Sequence, residues 1–357
     1  MSEDNVSPQV TEILEEAKEI RKKKYEVDKQ RINSSYDDML KRQQEMEAND
    51  SIDLNGMSQE HIDKIKRETR EYLEHAKNSK CFINNDFQGK VPFFGKNLLF
   101  VGAKTGHGKT TIGKNIAYHT LIQGGRVLYI TNEENTGDVY NGITCLIKGW
   151  SYTEHESFTD EQMKEFDKMM DILPQRMMVI DDNYSKGYGQ TTTLEGIKAT
   201  LMTLHETKVH YDVIIIDYYQ NVSRSNERPH LNNWQVQEEF AKFLDTFKNT
   251  YLAPIVLLSQ LKEGKDLEFK ESIEGRKIIL NIATCAMRVT AEREYLRTAF
   301  EIHKSRFTSA IGKTIHVGFD RGKYVDYTPE FRNNAELIKQ KREQNGLLSK
   351  ILGGKND

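Results

Sequence analysis

Cysteine is scarce in this 357-residue chain, and so is any surplus of charge: there are three cysteines, and 51 Lys and Arg stand against 54 Asp and Glu, a net −3. Cys81, Cys145 and Cys285 lie far apart, with no paired spacing and no histidine cluster beside them. That excludes a disulfide framework and a zinc module, and predicts core thiols in a reducing compartment. The balanced charge carries no bulk sign of a nucleic-acid binder, although a few cations can still gather in a cleft. No apolar run approaches the length of a membrane span, and the opening Met-Ser-Glu-Asp-Asn is acidic, unlike a secretory or transit leader. A soluble cytoplasmic protein is expected, in the host cytoplasm if the source is a virus. The length allows one large α/β domain with an appendage.

Residues 1–80 are rich in Glu, Lys, Arg and Gln and carry narrow apolar stripes at helical spacing. Val10, Ile13, Leu14, Ala17 and Ile20 make one stripe; Ile62, Ile65, Tyr72, Leu73 and Ala76 make another. Asn55-Gly56 breaks the pattern between them, and Ser58 is a candidate N-cap. Stripes this thin cannot enclose a core, so the second helix needs a surface to lie on. From residue 81 the texture changes to apolar runs of strand length alternating with helical patterns, which predicts a parallel sheet covered on both faces. Strands are expected at 98–102, 126–131, 177–181, 213–217, 255–260 and 284–289, with helices notably at 110–123, 160–170 and 233–250. After Arg293, shorter runs at 299–303, 314–319 and 323–327, with Gly312 and Gly322 at turns, predict an antiparallel edge. From Phe331 the chain is polar and Lys-rich and is expected as a frayed tail. The expected organisation is a helical segment over 1–80, an α/β domain over 81–330 and a tail over 331–357.

Ala103, Lys104, Thr105, Gly106, His107, Gly108, Lys109, Thr110 and Thr111 stand between a predicted strand and a predicted helix and have the make-up of a phosphate-binding loop. Gly106 and Gly108 let backbone N–H groups close around phosphates, and the helix start adds the positive end of its dipole. Lys109 reaches β and γ oxygens, and the Thr110 hydroxyl is suited to Mg²⁺. ATP with Mg²⁺ is therefore the expected ligand. Phosphoryl transfer further needs a metal carboxylate, a group that orients water, and positive charge for the transition state. The apolar run 213–217 ends in Asp217, on the sheet edge where the phosphate loop lies, which suits the metal role. The run 128–134 ends in two carboxylates, and Glu133 or Glu134 is the candidate general base. The run 255–260 ends in Gln260, placed to sense the γ-phosphate and move the loop that follows.

Taken in order, these motifs resemble the RecA-like motor domain of DnaB-type replicative helicases, over residues 80–328. Ala103-Lys-Thr-Gly-His-Gly-Lys-Thr110 is similar to that family's Ala-starting phosphate loop, Asp217-Tyr-Tyr-Gln220 to its Asp-Tyr-Leu-Gln, and Leu258-Ser-Gln-Leu261 to its Leu-Ser-Gln-Leu. The resemblance implies a RecA-like P-loop NTPase: an α/β fold whose mostly parallel twisted sheet is flanked by helices, with an antiparallel edge and an N-terminal helical segment ahead of it. It also selects Glu133 as the catalytic carboxylate, because Ile130-Thr-Asn-Glu133 stands where the family has an apolar residue, Ser, an apolar residue and Glu. His303-Lys-Ser-Arg306, followed by Ile311-Gly312, looks like the family's Lys-x-Arg hairpin. By that resemblance Lys304 and Arg306 reach the γ-phosphate held by a neighbouring subunit.

The resemblance makes the loop at 262–277 a DNA-contacting loop in the channel of a ring. Here five basic residues (Lys262, Lys265, Lys270, Arg276, Lys277) are matched by five acidic ones (Glu263, Asp266, Glu268, Glu271, Glu274). Backbone amides are the expected grip on DNA phosphates, assisted by Lys262, Lys270 and Arg276. Phe269 is the loop's one aromatic, so base stacking is not implied. Two departures from the family stand out: only about 80 residues precede the motor where a globular domain is usual, and there is no Cys-rich module of a fused primase. The helix at 58–77 occupies the place of the linker helix that docks on the adjacent motor. The implied function is an ATP- and Mg²⁺-dependent replicative DNA helicase, a homo-oligomeric ring expected to be a hexamer, translocating on single-stranded DNA with a primase or helicase loader as partner. Two rivals differ in what they predict. A RecA-type recombination or repair ATPase forms filaments, and the Asp-Tyr-Tyr-Gln and Lys-x-Arg elements disfavour it. A regulatory P-loop ATPase controls partner binding without unwinding, and the near-neutral loop favours it.

Overall fold

Apolar runs with no polar face form the middle of the sheet. In the computed structural model, which describes residues 41, 58–79, 83–151, 158–181, 192–222, 231–264, 267–275, 277–306 and 308–352, six such runs pair in parallel. They are β1 (Leu98–Ala103), β2 (Val127–Thr131), β3 (Met177–Ile180), β4 (Val213–Asp217), β5 (Ile255–Gln260) and β6 (Cys285–Glu292), in the order β3-β2-β4-β5-β1-β6. Antiparallel β7 (Arg297–Ser305), β8 (Thr314–Asp320) and β9 (Lys323–Asp326) extend the β6 side. This is the mostly parallel sheet with an antiparallel edge that the residue pattern predicts, and the strand set agrees with the RecA-like fold that the resemblance implies.

The described helices are α1 (Gln59–Lys77), α2 (Lys109–Ile122), α3 (Thr136–Lys148), α4 (Asp160–Arg176), α5 (Leu194–Thr207), α6 (Asn233–Thr250), the short α7 (Phe269–Ser272) and α8 (Ile278–Ile282), and α9 (Pro329–Leu352). Alternate strand residues enter two apolar layers. Leu99 and Val101 pack with Ile112 and Ile116 of α2, Val139 and Ile143 of α3, and Leu173 of α4. Leu98 and Phe100 pack on the other face with Leu194 and Ile197 of α5 and with Phe240, Phe243 and Phe247 of α6. Burial on both faces explains why the central strands lack polar alternation.

Helix α1 starts where the N-cap predicts, with the Ser58 hydroxyl accepting from His61 N at 3.2 Å. It lies on the sheet domain through Tyr72, edge-on to Phe94 at 5.3 Å, and through His75 Nδ1, which accepts from Gly95 N at 3.0 Å. Ile65 and Leu73 of the same stripe stay exposed, at 41% and 60%. The stripe at Val10 to Ile20 lies outside the described residues.

Two boundaries differ from expectation. Helix α4 does not stop at Met170 but runs on to Arg176 through Pro174, because a proline in the last turn removes a single ladder bond while buried Leu173 holds that turn on the core. The polar stretch after Phe331 is not a frayed tail over its first part. It is helical from Pro329, whose fixed φ and missing N–H suit a first helical position. Buried Ala335 anchors it, and Lys339 lies 4.6 Å over the Tyr295 ring and 3.3 Å from Glu294.

Candidate active site

Parallel strands deliver their C-terminal ends to one edge of a sheet, and here four such ends meet. Across the ladder Thr131 faces Asp217, and Ala103 faces Gln260. After Ala103 the chain turns through Gly106 and Gly108, whose φ of 74° and 81° lie in the left-handed region that side chains resist, and enters α2 at Lys109. The loop is held from outside. Lys104 Nζ donates to Gly264 O at 2.8 Å, Thr105 N donates to Glu263 Oε1 at 3.3 Å, and Arg293 Nη2 donates to Gly106 O at 2.7 Å. Ala291 N donates to His107 Nδ1 at 3.1 Å, and burial pushes that imidazole's pKa down, which keeps the nitrogen an acceptor.

Lys109 is the hub of the site. Its ammonium contacts the Glu133 carboxylate, donates to Asp217 Oδ1 at 3.0 Å and lies 3.7 Å over the Tyr218 ring. Thr110 Oγ1 donates to Glu133 Oε2 at 3.3 Å. Glu134, its neighbour in sequence, turns away to Lys114 Nζ at 2.9 Å, and burial raises its carboxyl above the ordinary value. The two carboxylates that residue order left equivalent therefore sit in different environments, one on the phosphate loop and one under α2. Gln260 Nε2 donates to Thr105 Oγ1 at 3.1 Å, linking the tip of β5 to the loop. A cavity of about 350 Å³ opens beside the loop, lined by His107, Thr111, Leu296, Phe319 and Tyr324 among others.

Lys304 and Arg306 are elsewhere. In the β6–β7 ladder Ser305 faces Cys285, which in turn faces Leu99 at the start of β1. Both cations thus sit at the opposite sheet edge from the phosphate loop, four strand residues or about 13 Å down the sheet before any loop is counted. There Lys304 contacts the Leu280 carbonyl and donates to Asn281 O at 3.1 Å, while Arg306 Nη2 donates to Asn281 O at 2.5 Å. Burial, then the Arg306 charge, pushes the Lys304 ammonium pKa down. Lys262 and Lys270 are exposed on the loop after β5; Arg276 lies outside the described residues. Phe269 is buried and stacked on His303 at 4.3 Å, so it offers no face to a base.

Some residues of the site were not singled out from the sequence. The Gln220 amide donates to Ser259 Oγ at 2.7 Å, Gln260 O at 2.8 Å and Glu274 O at 3.1 Å, and its oxygen accepts from Gln260 N at 3.2 Å. It ties the end of β4 to both ends of the loop after β5; its place in Asp217-Tyr-Tyr-Gln220 was a usable signal. Asn132 clamps the Tyr218 backbone, accepting from its N at 3.1 Å and donating to its O at 3.3 Å. No local pattern marks that contact.

The model of the DnaB-like helicase C-terminal domain matches residues 83–271, more than half of the chain. The chain belongs to that family. Solved structures agree on the fold. One described as an ATPase domain superimposes with a TM-score of 0.59 at 14% identity, covering 75% of this chain and 99% of that one. A DnaB-like replicative helicase, solved in a study of its interactions with primase, gives 0.59 at 13% identity over 91% of this chain and 81% of that one. No curated protein sequence matches the chain. A member of the DnaB-like family is a replicative-helicase-type motor that uses nucleotide, and the phosphate loop lies inside the matched span. No described helix is long and apolar enough to cross a membrane.

Proposed function

We propose that the chain is an ATP-driven DNA helicase subunit that assembles into a ring, a hexamer on the family pattern, and hydrolyses ATP at its subunit interfaces while translocating on single-stranded DNA. One observation carries the interface part. Lys304 and Arg306 stand at the sheet edge opposite the phosphate loop of their own chain, so a second copy is the natural recipient of their charge. The motor would comprise residues 81–330, with α1 as a linker helix whose exposed Ile65 and Leu73 meet the adjacent subunit.

In the cis half, Lys109 would exchange its carboxylate partners for the β and γ oxygens of ATP. Thr110 and Asp217 would hold Mg²⁺: a hydroxyl and a buried carboxylate are hard oxygen donors, and both already converge on the Lys109–Glu133 cluster. The described residues contain no group of three or more His, Cys, Asp or Glu able to hold a metal alone, which suits an ion that keeps waters and arrives with phosphates. Bound Mg²⁺ supplies neutralisation of charge across the phosphate oxygens. Glu133, released from Lys109, would take the proton of the attacking water. Gln260 would pass the state of the γ-phosphate to the loop at 262–277, where Lys262, Lys270, Arg276 and backbone amides would hold DNA phosphates. The apolar cavity beside the loop would receive the base. A primase or loader would be a further partner.

The test mixes two inactive variants, Arg306→Ala and Lys109→Ala. Each alone should lack DNA-stimulated hydrolysis, and Arg306→Ala should still bind nucleotide. Mixed rings should regain part of the turnover through interfaces that join an intact loop to an intact finger. If no mixing ratio restores turnover, shared sites are excluded. Fork unwinding by rings supports the helicase; filaments in micrographs would support a recombinase, and turnover indifferent to DNA would support a regulatory ATPase.

A further inference from the structure

Tyr129 is fully buried on β2, yet its hydroxyl ends 3.2 Å from Asp217 Oδ2. The register explains the reach. Tyr129 stands two residues before Thr131, which faces Asp217 across the β2–β4 ladder, so both side chains project to one face of the sheet. Helix α2 covers that face, and Gly113 lies against the phenol: a Cβ on Gly113 would stand 2.6 Å from the Tyr129 hydroxyl. A glycine in mid-helix is less favourable than alanine. Here the missing side chain is what makes room for the hydroxyl under the phosphate-loop helix.

We propose that Tyr129 is a positioning residue for the metal carboxylate, its hydroxyl fixing Asp217 through Oδ2 so that Oδ1 alone faces the phosphate loop. This rests on Asp217 being the Mg²⁺ carboxylate. The two oxygens have separate partners, Tyr129 on the inside and Lys109 on the outside. The Asp217 main chain is already fixed, since Asn132 N donates to Asp217 O at 2.9 Å and the Asn132 side chain clamps Tyr218. What remains free is the terminal torsion of the carboxylate, which is intrinsically broad. Once phosphates draw Lys109 away, the Tyr129 bond is the contact that still sets this torsion. A phenol hydroxyl carries one O–H, and a carboxylate only accepts, so the tyrosine is the donor of this bond.

Tyr129→Phe, made in the full chain, keeps the ring and removes the bond. A fluorescent nucleotide is titrated with and without Mg²⁺, and hydrolysis is measured against Mg²⁺ concentration. Affinity without Mg²⁺ should stay within about twofold of the parent, while the gain from Mg²⁺ and the Mg²⁺ midpoint of hydrolysis should weaken about tenfold. Gly113→Ala should push the phenol off the carboxylate and produce the same loss, with no further loss in the Tyr129→Phe background; it carries the test if Tyr129→Phe folds poorly. A parental Mg²⁺ response in both variants overturns the role. Asp217→Asn is run beside them. If it too responds normally to Mg²⁺, the metal-site reading itself fails; if it alone loses the response, only the positioning role fails.

Discussion

Lys109 donates to Asp217 Oδ1 at 3.0 Å, joining a lysine side chain that is 10% exposed to a carboxylate that is wholly buried. Lys109→Ala leaves Asp217 with the Tyr129 hydroxyl as its side-chain partner and should cost roughly 2–3 kcal/mol of stability, because a buried charge loses its counter-ion. Urea unfolding of the parent and the variant measures this directly. A variant as stable as the parent would mean that Asp217 does not depend on the ammonium.

Glu133 touches Lys109 and Thr110, whereas Glu134 is engaged with Lys114. Glu133→Gln is expected to bind ATP and to hydrolyse it on the order of 100-fold or more slowly. Glu134→Gln should retain turnover and lose stability instead. Single-turnover hydrolysis beside nucleotide binding separates the two, and near-parental turnover in Glu133→Gln would remove it from the chemistry.

Gln220 binds both ends of the loop after β5 through Gln260 and Glu274. Gln220→Ala should leave basal hydrolysis within about twofold of the parent while reducing its stimulation by single-stranded DNA several-fold, since a loose loop transmits less of the coupling free energy between sites. Equal stimulation in parent and variant would show that the clamp is not part of the coupling.

Acid should weaken the fold through His119. Burial drives its imidazole down to about 4, with the Tyr324 carbonyl and Asp326 opposing the shift and Lys323 adding to it. The unfolded chain has the ordinary value of about 6.5, so it binds the extra proton first, and stability falls as pH drops from about 6.5 towards about 4. Between about pH 7 and about pH 5 this group should account for about 2 kcal/mol. His119→Gln should flatten the pH dependence of urea unfolding by that amount; an unchanged slope would assign the acid sensitivity to other groups.

Much of the fold was legible because its signals are local. The nine described strands fall within a few residues of the apolar runs that predict them, from 98–102 through 323–327. Strands buried on both faces leave no polar positions to blur the pattern. Helix α9 is illegible in the sequence for the opposite reason: its stripe is weak, and contacts of Lys339 with Tyr295 and Glu294, over forty residues back, help to hold it.

Residue order alone was enough to place a glycine-bearing turn over 103–111 between a strand and a helix, and strand ends bearing Glu133 or Glu134, Asp217 and Gln260, because strand, turn and helix-start chemistry act over a few neighbouring residues. Which carboxylate faces Lys109, how Tyr129 reaches Asp217 across 88 positions, and that Lys304 and Arg306 stand at the far edge of the sheet were settled by folding. Strand order and register create those relationships: β4 lies between β2 and β5, and β7 runs back against β6. Periodicity along the chain encodes which face a residue takes and says nothing of the strand it will lie beside.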